Sequence, residues 1–331
     1  MIIAGDIGGT KTNLALIETD GRSLGKFVAQ HSYPSASFNS LEAILHSFIS
    51  THDTEEALSH ACFGVAGPVV GGHAHITNLE WEVGEESLAA ALKLDRVSLI
   101  NDLEATAHGI GELHQSNLYT LNAGVEGAEG NRALIAAGTG LGMAGICHDG
   151  QRYRPLPGEG GHIDFAPRTE REIELLRYLT KKIGGHVSYE RVLSGMGLRN
   201  IYAFLRDCQY AEEPVWLAEE IAGEGDDAAA ISNAALTHKS ELASMTLDMF
   251  VEIYGAMAGN LALMFKAFGG IYIGGGIAPK IIDKLADGTF MRAYKDKGRM
   301  SWIVESVPVR VILDDKTALY GAARYALCAG A

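Results

Sequence analysis

The residues with the clearest chemical capacity open the chain. Asp6-Ile7-Gly8-Gly9-Thr10 follows the apolar Ile2-Ile3-Ala4 and precedes a second apolar run, Leu14-Ala15-Leu16-Ile17. The pattern reads as strand, tight turn, strand, because glycine alone takes up the positive φ of such turns at little steric cost. Bare backbone at Gly8 and Gly9 lets N–H groups approach a phosphate, and the Thr10 hydroxyl adds a donor. Asp6, just ahead of the turn, is placed to hold a Mg²⁺-bound water, since that ion keeps waters and uses few carboxylates. The same letters also serve an ordinary hairpin, and this segment alone leaves both readings open.

A second stretch repeats the grammar. Arg132 to Ile146 runs as apolar strand, the turn Gly138-Thr139-Gly140-Leu141-Gly142, and apolar strand again. Two such hairpins suggest two related halves, each offering a phosphate-gripping turn. A third cluster, Gly274-Gly275-Gly276, follows the strand-like Gly270-Ile271-Tyr272-Ile273, where backbone can pass close to a flat ligand such as adenine. Neither the P-loop nor the dinucleotide fingerprint occurs in the strand–turn–helix context that each requires, which disfavours both nucleotide sites.

Asp102 follows Asn101 at the end of the strand-like Val97-Ser98-Leu99-Ile100. Carboxylates there are often helix N-caps. Beside two phosphate turns, Asp102 gains a second reading as the base that accepts a hydroxyl proton during phosphoryl transfer. Asn101 supplies donor and acceptor for a sugar hydroxyl. Glu159 and His162 lie in the glycine-rich Pro157-Gly158-Glu159-Gly160-Gly161-His162. A loop histidine is usually a surface residue, but a neutral His beside a Glu also offers a paired donor and acceptor for vicinal hydroxyls. Lys11, directly after the turn, is tempting as a phosphate lysine but is left out of the catalytic set. The remaining histidines show no metal-binding spacing.

These residues need elements to position them. Leu41, Ile44, Leu45, Phe48 and Ile49 recur at helical spacing behind a possible cap at Asn39 or Ser40. Ala61 to Ala66 is a short buried strand ended by Gly67-Pro68. The strand before Asn101 delivers it and Asp102 at a C-terminal strand end, where open α/β sheets bind ligands. Helix is expected over residues 103–113 and a surface loop over 122–131. Thr169-Glu170-Arg171-Glu172 is a capping-box signature ahead of Ile173, Leu176, Leu179 and Ile183. Further helices are expected over 197–207, 214–222, 226–238, 240–268 (with Gly255 and Gly259 as close-packing points) and 317–327.

Composition narrows the class. At 331 residues two domains are expected. A hydrophobic share of 47% supports large cores, and 21% charged residues is ordinary for a globular protein. A formal net charge of −14 argues against a nucleic-acid surface, which needs clustered Lys and Arg. The apolar start lacks the basic region of a signal peptide, and Ala133 to Cys147 is too short and glycine-rich to span a bilayer. The four cysteines, Cys62, Cys147, Cys208 and Cys328, show no paired or zinc-binding spacing and are expected to be buried or partly buried free thiols.

The ordered set Asp6-Ile7-Gly8-Gly9-Thr10, Leu99-Ile100-Asn101-Asp102, Gly138-Thr139-Gly140-Leu141-Gly142, Leu156-Pro157-Gly158-Glu159-Gly160-Gly161-His162-Ile163-Asp164-Phe165, Tyr189-Glu190-Arg191-Val192-Leu193-Ser194-Gly195 and Gly274-Gly275-Gly276 resembles the bacterial glucokinases. More narrowly it resembles their branch without structural zinc, inside the actin/hexokinase/Hsp70 superfamily. The resemblance implies an α/β, two-domain actin-like ATPase (ribonuclease H-like) fold with an interdomain active-site cleft. Residues 1–112 plus about 314–331 would form the small domain, and 113–313 the large one.

The implied activity is transfer of phosphate from Mg²⁺-ATP to D-glucose, giving glucose 6-phosphate for glycolysis, with Asp102 as general base. Sugar contacts are implied for Asn101, Asp102, Glu159, His162, Glu190 and Asn78. Glu190 also reads as a partner of Arg191 or a helix-start acid, and Asn78 as a turn former. The implied ATP contacts are Asp6, Gly8, Gly9, Thr10, Gly138, Thr139, Gly140, Gly274, Gly275 and Gly276, with Asp6 holding Mg²⁺ through water. A cytoplasmic homodimer without structural zinc, membrane or nucleic-acid partner is implied as well. A kinase of mannose, fructose or an N-acetylhexosamine, or a sugar-sensing regulator of the same fold, is the alternative. An actin-like filament ATPase is disfavoured, since it would have no use for the Glu159/His162 loop.

Overall fold

The computed structural model describes residues 1–52, 58–76, 79–125, 127–223 and 225–329. By its contacts the chain divides into two units: Met1–Gln115 together with the stretch from Asp314, and Ser116–Leu313.

In the first unit, strands β1 (Ile2–Ile7), β2 (Lys11–Thr19), β3 (Leu24–Pro34), β4 (His60–Val65) and β8 (Val97–Asn101) form one sheet in the order β3-β2-β1-β4-β8. Strands β5 (Val69–Val70), β6 (His73–Ile76) and β7 (Trp81–Gly84) form a small second sheet. β1 runs antiparallel to β2 and parallel to β4, and β4 is parallel to β8. Because β1 and β4 are covered on both faces, they read as near-continuous apolar runs. Helices α1 (Leu41–Thr51) and α2 (Glu85–Leu92) bury Leu41, Ile44, Leu45, Phe48 and Leu88 in one core. Ser40 is the cap that α1 uses. On the other core, Ala105 of α3 (Asp102–Gly109) meets Leu319, Ala322, Ala323 and Leu327 of the terminal helix α12 (Thr317–Ala329).

The second unit repeats that connectivity. Strands β9 (Leu118–Asn122), β10 (Arg132–Ala137), β11 (Leu141–His148), β12 (Tyr153–Leu156), β13 (Gly270–Gly274) and β14 (Val309–Ile312) are ordered β12-β11-β10-β13-β14-β9. Again a hairpin supplies the central strand, which pairs parallel with the strand on its other side. The unit adds α4 (Glu170–Ile183), α5 (Gly195–Asp207), α6 (Val215–Ala222), α7 (Asp227–Leu236), α8 (Glu241–Phe265), α9 (Ile282–Ala286), α10 (Thr289–Lys295) and α11 (Ser301–Ser306). α8 contributes the largest share of the core, including Phe250, Tyr254 and Leu261.

Three details differ from the sequence reading. α4 turns Glu172, Leu175 and Leu179 inward, and Ile183 is exposed. The rotation follows from Glu172, whose carboxylate accepts the backbone N–H of Arg168 at 2.6 Å and its guanidinium at 2.7 Å. A buried carboxylate so paired has no reason to face water. Asn122 belongs to edge strand β9, so the loop begins after it. Finally, Cys208 and Cys328 are exposed, because each lies at the surface end of its helix.

α3 and α12 approach closely enough that only glycine fits between them. A Cβ on Gly321 would lie 1.7 Å from the Ala105 carbonyl oxygen, and one on Gly109 would lie 1.9 Å from that of Thr317. Gly321→Ala gains about 1 kcal/mol of helix propensity. It must also push two backbones apart, which costs more. We expect a net loss of about 2 kcal/mol or more in urea denaturation. Gly111→Ala, in open space, should stay within about 0.5 kcal/mol. Equal behaviour of the two variants would refute the close contact.

Candidate functional site

The first unit's turn is held from inside by a residue the sequence did not single out. Ser35 is fully buried. Its Oγ donates to the Gly8 carbonyl at 2.8 Å and pairs with Thr12 Oγ1 at 3.0 Å, while its N–H donates to the Thr10 carbonyl at 3.0 Å. The Gly8 N–H closes the turn on the Lys11 carbonyl at 2.9 Å. Two turn carbonyls are thereby satisfied, and Thr10 is left exposed. Gly8, Gly138 and Gly140 all lie outside the left-handed region, which corrects the expectation of positive φ. Glycine serves these turns by clearance: a Cβ on Gly8 would lie 3.1 Å from the Lys11 carbonyl oxygen.

Asp6 faces Asn13 across the hairpin and accepts its Nδ2–H at 3.3 Å. Protein closes around the carboxylate although a little of the residue stays accessible, and this burial pushes Asp6 up to about 6. The Asn13 bond opposes the shift, while the negative charges of Asp102 and Asp315 add to it. Asp6, Asp102 and Asp315 therefore share one electrostatic neighbourhood within this unit. Among the described residues no group of three His, Cys, Asp or Glu side chains is arranged to hold a metal. A lone buried carboxylate with two acidic neighbours fits a Mg²⁺ ion that keeps its waters and brings phosphate ligands with it.

β8 ends at Asn101, whose Oδ1 accepts the Leu103 N–H at 2.9 Å and whose Nδ2 donates to the Gly67 carbonyl at 3.0 Å. Asn101 is thus the cap of α3, and Asp102 is the first helical residue. The Asp102 Oδ1 also lies 2.8 Å from the Leu103 N–H. Asn101 retains one amide hydrogen and one lone pair for a further partner. Asn78 lies outside the described residues.

In the second unit the turn at Gly138, Thr139 and Gly140 is tied at several points. Gly138 N–H donates to the Gly140 carbonyl at 2.9 Å, Gly195 N–H to the Gly138 carbonyl at 2.9 Å, and Ile277 N–H to the Ala137 carbonyl at 3.2 Å. Gly275, at φ +81°, packs so tightly that a Cβ would fall 2.2 Å from the Ala137 carbonyl oxygen. The third glycine cluster therefore buttresses the second turn. Gly138, Thr139, Gly195, Gly276, Asn233 and Lys280 are among the residues around a cavity of about 430 Å³, whereas Gly274 is the buried last residue of β13.

Glu159 precedes and His162 ends a single 3₁₀ turn (Gly160–His162), both exposed, with Oε2 and Nε2 3.9 Å apart. A Cβ on Gly161 would lie 1.9 Å from the Leu141 carbonyl oxygen, so this loop rests directly on the start of β11. Its far end is stitched to the next segment: Phe165 N–H donates to the Val187 carbonyl at 2.9 Å and Tyr189 N–H to that of Ile163 at 3.0 Å. His186 Nε2 lies 2.9 Å from Asp164. Glu190 follows, and its Oε2 accepts the Leu141 N–H at 3.0 Å. Arg191 turns to Met196 instead. The Glu159/His162 loop (through Gly161), Glu190 and the glycine turn thus meet at one residue, Leu141.

Sequence reading missed Ser35, Asn13 and Asp315. Asn13 was recoverable from the hairpin register, which sets it opposite Asp6. Ser35 and Asp315 carried no local signal.

The family model for glucokinase matches residues 3–329. The chain is 42% identical over 340 residues to the glucokinase of Trichormus variabilis, covering 99% of this chain and 98% of that one. It is 34% identical over 325 residues to the glucokinase of Brucella suis biovar 1, with 98% and 90% covered. Among solved structures, a glucokinase from an Antarctic psychrotroph superimposes with a TM-score of 0.85 at 33% identity, covering 98% of each chain. A ROK family glucokinase from Streptomyces griseus, solved with glucose and AMPPNP, shares the fold at a TM-score of 0.62 and 21% identity, again covering 98% of each. With its repeated strand–turn–strand sheets and a match over nearly its whole length, the chain belongs to the glucokinase family, whose fold is that of the actin-like kinases.

Proposed function

We propose that the chain transfers the γ-phosphoryl group of ATP to the 6-hydroxyl of D-glucose, with Asp102 as general base. The observation that carries this reading is the division of labour at the start of α3. Asn101 caps the helix and Asp102 opens it, which sets a carboxylate at a strand's C-terminal end, where open α/β sheets bind their ligands. Phosphoryl transfer asks little covalent work of a protein; it needs an aligned hydroxyl, a group to take its proton and donors for the phosphate oxygens. Gly9 and Thr10, with Thr139 and Gly140, supply backbone and hydroxyl donors for the phosphates, while Gly8 and Gly138 spend their N–H groups closing the two turns. Gly276 and the cavity beside it suit the adenosine. Asn101, Glu159, His162 and Glu190 offer the donor and acceptor pairs that a hexose requires, and Asn78 stays a candidate from its sequence context. Asp6 would hold Mg²⁺ through water, and the ion when bound supplies charge neutralisation at the phosphates. A cytoplasmic homodimer completes the reading on the strength of the family; light scattering after size exclusion reads the oligomeric state.

In a coupled assay with Mg²⁺-ATP across a panel of hexoses, glucose should give the highest kcat/KM. An N-acetylhexosamine turned over faster than glucose would assign the chain to a different sugar.

Asp102→Asn should fold with parental stability, since the cap is Asn101, and still bind glucose. Its kcat should fall by about two to four orders of magnitude, the usual worth of a positioned base. Asn101→Ala should instead lose about 1 kcal/mol of stability with its cap. Near-parental turnover by a folded Asp102→Asn enzyme would falsify the role given to Asp102.

Asp6 makes a prediction about pH. Its folded pKa of about 6 stands above its ordinary 3.8, so between those values the native state binds the extra proton. Stability contributed by this group therefore falls as pH rises from about 4 to 6, and the full cost remains above that window. Asp6→Asn should be the more stable protein at pH 8 by roughly 1–3 kcal/mol, with the advantage gone near pH 4. Identical urea midpoints for variant and parent at pH 8 would show that the carboxylate carries no such cost.

A further inference from the structure

Glu190 occupies an unusual position for a sugar-binding carboxylate. One of its oxygens, Oε2, is committed to the Leu141 N–H, at the exit of the glycine turn assigned to ATP phosphates. The segment carrying Glu190 is fastened to that turn a second time, through Gly195 N–H and the Gly138 carbonyl at 2.9 Å. Its own start is fixed by Ser194 Oγ donating to the Glu190 carbonyl at 2.7 Å. Gly140 lies hard against the carboxylate: a Cβ there would sit 2.6 Å from Glu190 Oε2. No hydrogen bond to Glu190 Oε1 occurs among the described residues, and the residue is partly exposed.

We infer that Glu190 is a positioning residue that couples the hexose site to the nucleotide turn, one carboxylate oxygen holding Leu141 and the other taking a hexose hydroxyl. The inference rests on Glu190 being a sugar ligand, as proposed above. A hydroxyl donated to Oε1 restricts the carboxylate's rotation, and the same rotamer is the one that fixes Leu141 N–H and sets the turn. Hexose and nucleotide then favour one arrangement, and each raises the other's affinity by the same factor. The carboxylate, unlike an amide, can accept on both sides without presenting a hydrogen to either partner.

A double-mutant cycle on glucose binding, read by calorimetry with no nucleotide present, tests this. Gly140 lies in the phosphate turn, outside the left-handed region. Alanine is therefore tolerated by the backbone there, and its methyl displaces only the mobile end of Glu190. Glu190→Ala should weaken glucose binding about tenfold or more, the worth of a charge-assisted hydrogen bond. Gly140→Ala should weaken it comparably in the parent. In the Glu190→Ala background it should do nothing further, because its effect runs through the carboxylate. Unchanged glucose affinity in Glu190→Ala would remove Glu190 from the sugar site, and the inference with it. If Glu190→Ala weakens binding but Gly140→Ala does not, or weakens it equally in both backgrounds, the sugar role stands and the coupling is overturned.

A second readout does not depend on the Gly140 variant folding. In protein labelled with ¹⁵N-leucine, glucose alone should shift the Leu141 amide resonance, and Glu190→Gln should reduce that shift. A Leu141 amide unmoved by saturating glucose refutes the coupling.

Discussion

The contact on which the second unit's site depends is the hydrogen bond from Leu141 N–H to the Glu190 carboxylate, 3.0 Å long. Leu141 begins β11 directly after the glycine turn, so whatever fixes its N–H also fixes where that turn ends. Its carbonyl is pressed by Gly161, which seats the Glu159/His162 loop on the same residue. An N–H at a strand's start that found no acceptor would cost about 1–3 kcal/mol if buried. A carboxylate meets that need more strongly than a carbonyl does. One charged acceptor thereby orders a loop, a turn and a strand end together.

The electrostatics explain how a chain of net charge −14 can accept an anionic substrate. The turns proposed to take the phosphates would do so with backbone N–H groups, whose dipoles act at short range, whereas the net charge is screened beyond about 8–10 Å. The acidic neighbourhood of Asp6, Asp102 and Asp315 works the other way, disfavouring charge on the buried Asp6. On the function proposed above, a divalent cation arriving with the phosphates would relieve that repulsion, so carboxylates that repel a bare nucleotide would suit one that comes with its metal.

Much of this was legible in the sequence, for identifiable reasons. The two hairpins declared themselves because β1, β10 and their partners are mostly buried apolar runs joined by turns of Gly and Thr. The long α8 and its glycines were readable too: Cβ atoms at Gly255 and Gly259 would fall 2.2 and 2.5 Å from the carbonyl oxygens of Phe290 and Tyr294. Strand β3 was not, since its eleven residues are largely exposed and carry no alternation. β9 hid in the same way, as an edge strand with little burial. At the candidate site, residue types single out Asp102, Glu159 and His162 for test, but supports such as Ser35 work through contacts remote in sequence. The face of α4 was misread because periodicity treats glutamate as solvent-facing, and only the neighbouring Arg168 makes a buried one affordable.

The two turns descend from one grammar, yet they are supported by different chemistry. In the first unit a buried hydroxyl, Ser35, gathers the turn by its carbonyls. In the second a carboxylate, Glu190, gathers it by an N–H, and a neighbouring backbone N–H takes the remaining carbonyl. A fully buried hydroxyl whose proton is already given to the Gly8 carbonyl is out of a ligand's reach, so the first turn is held by the fold alone. A carboxylate holding one N–H keeps a second oxygen and its charge for another partner, which is what the coupling inferred for Glu190 requires of the second turn. The asymmetry follows from acceptor capacity alone. It places responsiveness in the unit that also carries Glu159 and His162, and leaves Asp102 beside a turn whose geometry is set by the fold.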